Sequence, residues 1–349
     1  LLAANQNAKR DKSYLRYVTG FTLYRDRLKD NGKAKQMLRE MLRDNPPDNS
    51  YSQNAIGWLM SSAETEADFN QEVTFQLKVR RDNLHSPRVR DYLKAWAASA
   101  RRQKNTRERA RYVQDELQKS ENDPVVKLAL KNNFQHRRQE AQVRDQLLSP
   151  DIRGKLSAAM IDRLLETQAY FKRHYSNQRA ESATLYGELA RRHPDNFSFA
   201  ANYLSAATDY APPEVCQEAA LHMLKQEPQP MHADVYRRLC ITADKTKNKD
   251  LLKKALVWIL NVQKKVERDA GYASFIGDVL HKYDMKQQAV AYWKAYMDYD
   301  VDYWESTECA RRLYDQAETT EAKQALAQRL FDRNDAFQGR YASWLAHLH

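Results

Sequence analysis

The chain is short of the residues that interrupt helices, with only 8 glycines and 10 prolines among 349 residues. Tight hairpins draw on Gly and Pro, so a turn-rich β fold does not fit this composition. What fills the chain instead is Ala, Leu, Arg, Lys, Gln and Glu, all good helix formers, and the expected fold class is all-α. Long apolar runs are also missing. Nothing approaches the roughly 20 apolar residues that a transmembrane helix needs, and the mean hydropathy of -0.85 is that of a soluble chain.

Cysteine is scarce as well. Cys216, Cys240 and Cys309 are odd in number and far apart, and none belongs to a Cys-x-x-Cys pair, so neither a disulfide framework nor a zinc cage is expected. Scarce cysteine favours a reducing, cytoplasmic compartment. The start Leu1-Leu2-Ala3-Ala4 lacks Met, which leaves room for a removed leader and hence for a secreted or periplasmic protein. The triplet Asn196-Phe197-Ser198 matches a glycosylation acceptor, but it stands where a helix should begin and reads as a helix start.

Catalytic signatures are absent too. The sequence has no Gly-rich phosphate loop, no His-Glu-x-x-His helix and no Gly-x-Ser-x-Gly elbow. Its nine histidines are scattered, and the closest pair, His347 and His349, would fall on different faces of a helix. No cofactor and no metal are expected, and the chain reads as a non-enzyme. The stretch "MDYDVDYWESTEC" (297–309) has the alternating aspartates of a calcium loop at Asp298, Asp300 and Asp302. Such a loop needs Gly at its sixth position and Glu at its twelfth, where this chain has Tyr303 and Cys309. The aspartates are therefore expected at a corner between helices, accepting from unpaired backbone N–H groups.

Charge is unevenly placed. The net charge is +11, yet residues 1–150 hold 29 Lys and Arg against 19 acids, while residues 201–349 hold 20 against 21. The densest stretch, "RRQKNTRERAR" (101–111), carries Arg101, Arg102, Arg107 and Arg109 as a basic patch that could attract phosphates or an acidic partner. A solvated helix-turn-helix corner is the plainer reading.

A repeat of 34 to 36 residues organises the chain. Pro194 and Pro228, each closing an amphipathic helix, are 34 apart. Between them "FSFAANYLSAATDY" and "PEVCQEAALHMLKQ" make a helical hairpin joined at Pro212-Pro213. A small residue on the second helix recurs at Ala183, Ala219, Ala255, Ala289 and Ala325, with Ala110, Val73 and Ala34 continuing the series backwards. About nine hairpins in a single array over 1–349 are expected. The least regular part is 120–180, where 134–148 and 156–175 read as longer helices.

This pattern resembles the tetratricopeptide repeat family. In "YASFIGDVLHKYDMKQQAVAYWKAYMDYD" (272–300), Ile276-Gly277 matches the Leu-Gly pair of its first helix, followed by Leu280, Ala289, Trp293 and Tyr296 at the family's positions. Ile56-Gly57 repeats the pair, whereas Asp284 stands where the family often has Gly and Tyr296 where it often has Ala. The resemblance implies a right-handed α-α superhelix, with Gly277 and Ala289 facing one another. Trp293, Tyr296, Ala310, Arg311 and Tyr314 are also similar to the half-a-tetratricopeptide repeats of RNA-processing scaffolds, and "RARYVQDEL" (109–117) with Trp96 is a poorer copy.

A superhelix of this kind offers the concave face of its first helices to a protein or peptide partner. Asn202, His232, Tyr236, Phe275 and Asp278 are the expected partner-binding residues. The family's clamp for acidic C-termini is not carried over, because His232 and Tyr236 stand where it requires basic residues. The expected function is a protein interaction scaffold. The alternative is an RNA-associated scaffold using the basic N-terminal half, although the base-reading pairs of a one-base-per-repeat code are missing.

Overall fold

The computed structural model describes residues 8–44, 46–227, 233–263, 273–298, 304–333 and 335–348. Among these the chain forms twenty α-helices and no strand. Two compact units divide it, Leu1–Tyr175 and Ser176–His349. The first holds α1 (Ala8–Val18), α2 (Asn31–Asp44), α3 (Ser50–Ser61), α4 (Glu66–Asp82), α5 (Pro87–Ala100) and α6 (Arg107–Glu121). There follow α7 (Pro124–Leu130), α8 (Ala141–Leu147), α9 (Pro150–Arg153) and α10 (Ala158–Tyr175). The second unit holds α11 (Arg179–Arg192), α12 (Phe197–Tyr210), α13 (Pro213–Met223), α14 (Ala233–Lys245) and α15 (Lys249–Gln263). It ends with α16 (Ala273–Lys282), α17 (Lys286–Met297), α18 (Trp304–Gln316), α19 (Thr320–Asp332) and α20 (Gln338–Ala346).

Helix starts follow local chemistry. Thr65 and Asp68 close a reciprocal capping box on α4, Ser86 caps α5 just before Pro87, and Asp123 caps α7 just before Pro124. Asn196 accepts from Phe199 N–H at 3.2 Å, which makes it the helix start that the sequence suggested.

Packing follows the helical-repeat plan of an α-solenoid. Within each unit most helices lie against the next, and first helices also contact first helices one hairpin on, α3 on α5 in the first unit and α12 on α14, α14 on α16 and α16 on α18 in the second. The repeat period appears in the side-chain bonds: Thr208 to Thr242, Asp278 to Arg312 and Thr307 to Tyr341 all span 34 residues. The small-residue series explains the close approach. Ala34, Val73, Ala110, Ala183, Ala219, Ala255 and Ala289 are all buried, on α2, α4, α6, α11, α13, α15 and α17.

Several expectations are corrected. Ala325 is exposed and Ala327 takes the buried place on α19, so the last hairpin is out of phase by two residues. At Gly277 the nearest neighbour is the Trp293 indole, a contact the repeat pattern had not singled out. The segment 134–148 is not one helix, because the chain turns at Phe134 with φ 57° and α8 begins only at Ala141. There Asn132 accepts from Phe134 N–H at 2.6 Å, and the buried Arg144 guanidinium donates to the Gln135 and Arg137 carbonyls and to Gln168. These bonds hold the irregular backbone in place of helix hydrogen bonds. Asp298 is held by arginine side chains among the described residues. Its carboxylate accepts from Arg329 at 2.7 Å and Arg333 at 2.9 Å, while Asp300, Asp302 and Tyr303 lie outside the described residues.

Candidate functional site

Two surface features stand out, one in each unit. In the second unit a hollow of about 390 Å³ opens between α15 and α17, lined by Leu256, Val257, Leu280, Met285, Tyr292 and Tyr296. Lys253 stands at its edge, and the exposed Ala291 and Ala295 on α17 keep it shallow. A second hollow of about 460 Å³, lined by Leu224, Lys253, Lys254, Val257 and Trp258, shares Lys253 and Val257 with the first. Together they make an apolar groove on both sides of a Lys253–Val257 ridge on α15.

Local sequence accounts for the groove. The run "ALVWIL" (255–260) makes α15 apolar around its whole circumference, so burying one face leaves other apolar side chains outside. Ala255 and Trp258 turn inward, with the indole N–H donating to the Gln226 carbonyl at 3.0 Å. Val257 is left 60% exposed, large for an aliphatic side chain beside other accessible apolar groups. Lys253 and Lys254 are both exposed, and the one ion pair described for Lys253, with Asp250, is long at 3.9 Å.

The residues expected to bind a partner lie elsewhere, on first helices, and none of those described lines either hollow. Asn202 is half-buried on α12. Tyr236 is buried on α14 with its ring edge-on to Trp258, at 5.7 Å between centroids. Phe275 on α16 lies under the Arg237 guanidinium. Asp278 is engaged by Arg312 through two donors, at 2.8 Å each, and this bond holds the Arg312 guanidinium above its ordinary pKa. His232 lies outside the described residues.

In the first unit the basic stretch divides. Arg109 turns to Glu66 at 2.8 Å and stacks over the Phe69 ring at 4.7 Å. Arg101, Arg102 and Arg107 are exposed, as is Arg111, a member of the run that sequence reasoning did not single out. Arg101, Arg107 and Arg111 line a polar hollow of about 310 Å³ together with Gln114.

The cysteines are buried free thiols. Burial pushes Cys240 up to about 12 and raises Cys309 as well, so both stay protonated and unreactive at neutral pH. Among the described residues no three His, Cys, Asp or Glu gather in a way that could hold a metal ion, and no helix is long and apolar enough to cross a membrane. No protein-family model matches the chain, and no curated protein does so either.

Proposed function

We propose that the chain is a protein interaction scaffold of the tetratricopeptide-like helical-repeat kind, a binding protein and not an enzyme. Its partner is a protein segment that presents an amphipathic helix with carboxylates on its flank. The groove along α15 takes the apolar face of that helix, and Lys253 and Lys254 meet the carboxylates.

The observation that carries this reading is the accessible apolar surface around Val257, bordered by two exposed lysines that hold no close carboxylate among the described residues. Two hollows sharing one valine suit anchors spaced along a helix, the pattern by which grooves read amphipathic helices. Lysines at the edge supply charge complementarity and orientation rather than most of the affinity. The groove lies on second helices, so this site differs from the first-helix face anticipated from the repeat resemblance. The RNA-associated alternative draws on Arg101, Arg102 and Arg107, but Arg109 is already taken by Glu66, which breaks the basic run as a continuous backbone track.

Synthetic helical peptides with Leu at three- and four-residue spacing, flanked by either Glu or Lys, test the proposal by fluorescence anisotropy. The Glu-flanked peptide should bind with a Kd of about 1 to 100 µM, and Val257→Glu should abolish binding. Equal binding of the Lys-flanked peptide, or binding indifferent to Val257→Glu, would overturn the assignment. Tight capture of a uridine oligomer at physiological salt would favour the RNA alternative instead.

A further inference from the structure

Arg107, Arg111 and Gln114 occupy positions i, i+4 and i+7 of α6, hence one face of that helix over two turns. Arg101, the residue closing α5, brings a third guanidinium to the same polar hollow. Like charges four apart on a helix destabilise it, and an added third cation deepens that cost unless an anion is present.

Carboxylates do not balance the cluster. Several other arginines of the first unit are paired: Arg39 with Glu72, Arg80 with Glu121, Arg90 with Asp91 and Arg109 with Glu66. Among the described residues no acid pairs with Arg101, Arg107 or Arg111. Glu108 and Asp115 share the helix, and both are exposed. Asp115 stands four residues from Arg111 without bonding it. The Thr106 hydroxyl, which could have capped α6, donates instead to the Ala100 carbonyl at 2.7 Å. The first-turn N–H groups thus keep their positive potential beside the arginines.

We propose that Arg101, Arg107, Arg111 and Gln114 form a receptor for a small phosphate-bearing anion. A carboxylate carries one charge and is satisfied by one guanidinium fork, whereas three guanidiniums converging on one hollow match a dianion or a diphosphate with oxygens on several sides. The Gln114 amide adds a neutral donor. A volume of about 310 Å³ suits a phosphate ester or diphosphate, at the lower end of small-ligand pockets. Nucleic acid fits less well. Its backbone asks for cations spread along a track, and the adjacent Arg102 does not line the hollow.

Isothermal titration of the full chain with pyrophosphate, inorganic phosphate and glycerol 3-phosphate at low salt tests the site. Pyrophosphate should saturate one site per chain. The double variant Arg107→Gln with Arg111→Gln should weaken it by about tenfold or more, while Arg102→Gln changes it by less than about twofold. Glycerol 3-phosphate binding more tightly than phosphate would identify an ester carried on an organic molecule, and the reverse order the free anion; both outcomes support the receptor. Absence of saturation on the native chain overturns it, whatever the variants do. An equal loss from Arg102→Gln also overturns it, because the attraction would then belong to a diffuse basic surface. So does uridine-oligomer affinity that grows with length while pyrophosphate fails to bind.

Discussion

Gly277 on α16 sits directly against the indole of Trp293 on α17, so close that an added Cβ would come within 2.5 Å of Trp293 Cδ1. The indole is buried and its N–H donates to the Ser274 carbonyl at 3.3 Å. It therefore has nowhere to retreat. An added Cβ at Gly187 would likewise come within 2.9 Å of the Tyr203 ring, whereas one at Gly57 would meet the Tyr92 hydroxyl. Glycine on one helix facing an aromatic side chain of another is thus a recurring joint, against the ring at Gly277 and Gly187 and against the phenol hydroxyl at Gly57.

Gly277→Ala should lower stability by about 1 to 3 kcal/mol through overpacking. Gly339 lies in α20 with nothing within 4 Å of an added Cβ, and Gly339→Ala should gain about 0.5 to 1 kcal/mol from helix propensity. Urea unfolding of the two variants measures the opposite signs directly. If Gly277→Ala unfolds no earlier than the parent chain, the joint is not rigid.

Asp298 is held between Arg329 and Arg333, so its carboxylate already faces two cations where a calcium loop would need an open ligand. Millimolar calcium or EDTA should leave the melting temperature unchanged. Asp298→Ala should cost no more than about 1 kcal/mol, because the carboxylate and Arg329 are largely exposed. A calcium-dependent rise in melting temperature would restore the metal reading of this stretch.

How much was legible in the sequence depended on how local each signal was. The small residues from Ala34 to Ala289 and the cap at Asn196 were readable because period and capping act within one hairpin. The break at Phe134 was not. The segment "QHRRQEAQVRDQLL" has strong helix propensity, and what overrides it is Arg144, buried and bonded to two carbonyls of that segment and to Gln168 on α10. The groove was half visible. "ALVWIL" shows that α15 must leave apolar side chains outside, but only packing decides that Val257 is exposed beside Met285 and Tyr292. In the basic run the sequence favoured Arg109 over Arg111, and the bond of Arg109 to Glu66 reverses that choice.

Acid should unfold the first unit partly through His85. Its imidazole is pushed down to about 4, chiefly by burial and then by the Arg163 charge, with Asp48 and Asp162 opposing weakly. Its Nδ1 finds no partner among the described residues, and its ring lies edge-on to Phe134. The folded state resists the proton that the unfolded chain accepts near 6.5. The contribution is therefore complete above that pH and falls away as the pH drops toward 4, by about 2 to 3 kcal/mol in all. Urea midpoints of the parent and His85→Leu chains, compared at pH 7, 5.5 and 4, should show the variant losing less. Parallel losses over that window would remove His85 as the cause.

The turns between α14 and α15 and between α16 and α17 are closed alike. Asn248 N–H donates to the Ala243 carbonyl and Met285 N–H to the Leu280 carbonyl, both at 3.0 Å and both reaching back five residues. This is the bond of a helix end whose next residue is left-handed. That residue is Lys247 at φ 51° and Asp284 at φ 62°, so Asp284 stands where the repeat resemblance would place Gly for a conformational reason. A left-handed Lys costs roughly 1 to 2 kcal/mol, and Asp less because its short carboxylate tolerates the conformation. Glycine removes that strain but adds entropy to the unfolded chain, which returns part of the gain. Lys247→Gly should stabilise by about 0.5 to 1 kcal/mol and Asp284→Gly by a smaller amount. Alanine at either position should gain nothing, because it keeps the Cβ that causes the strain. Chemical denaturation of the four variants gives the ranking, and a Lys247→Ala chain as stable as Lys247→Gly would show that the left-handed turn is not what limits these hairpins.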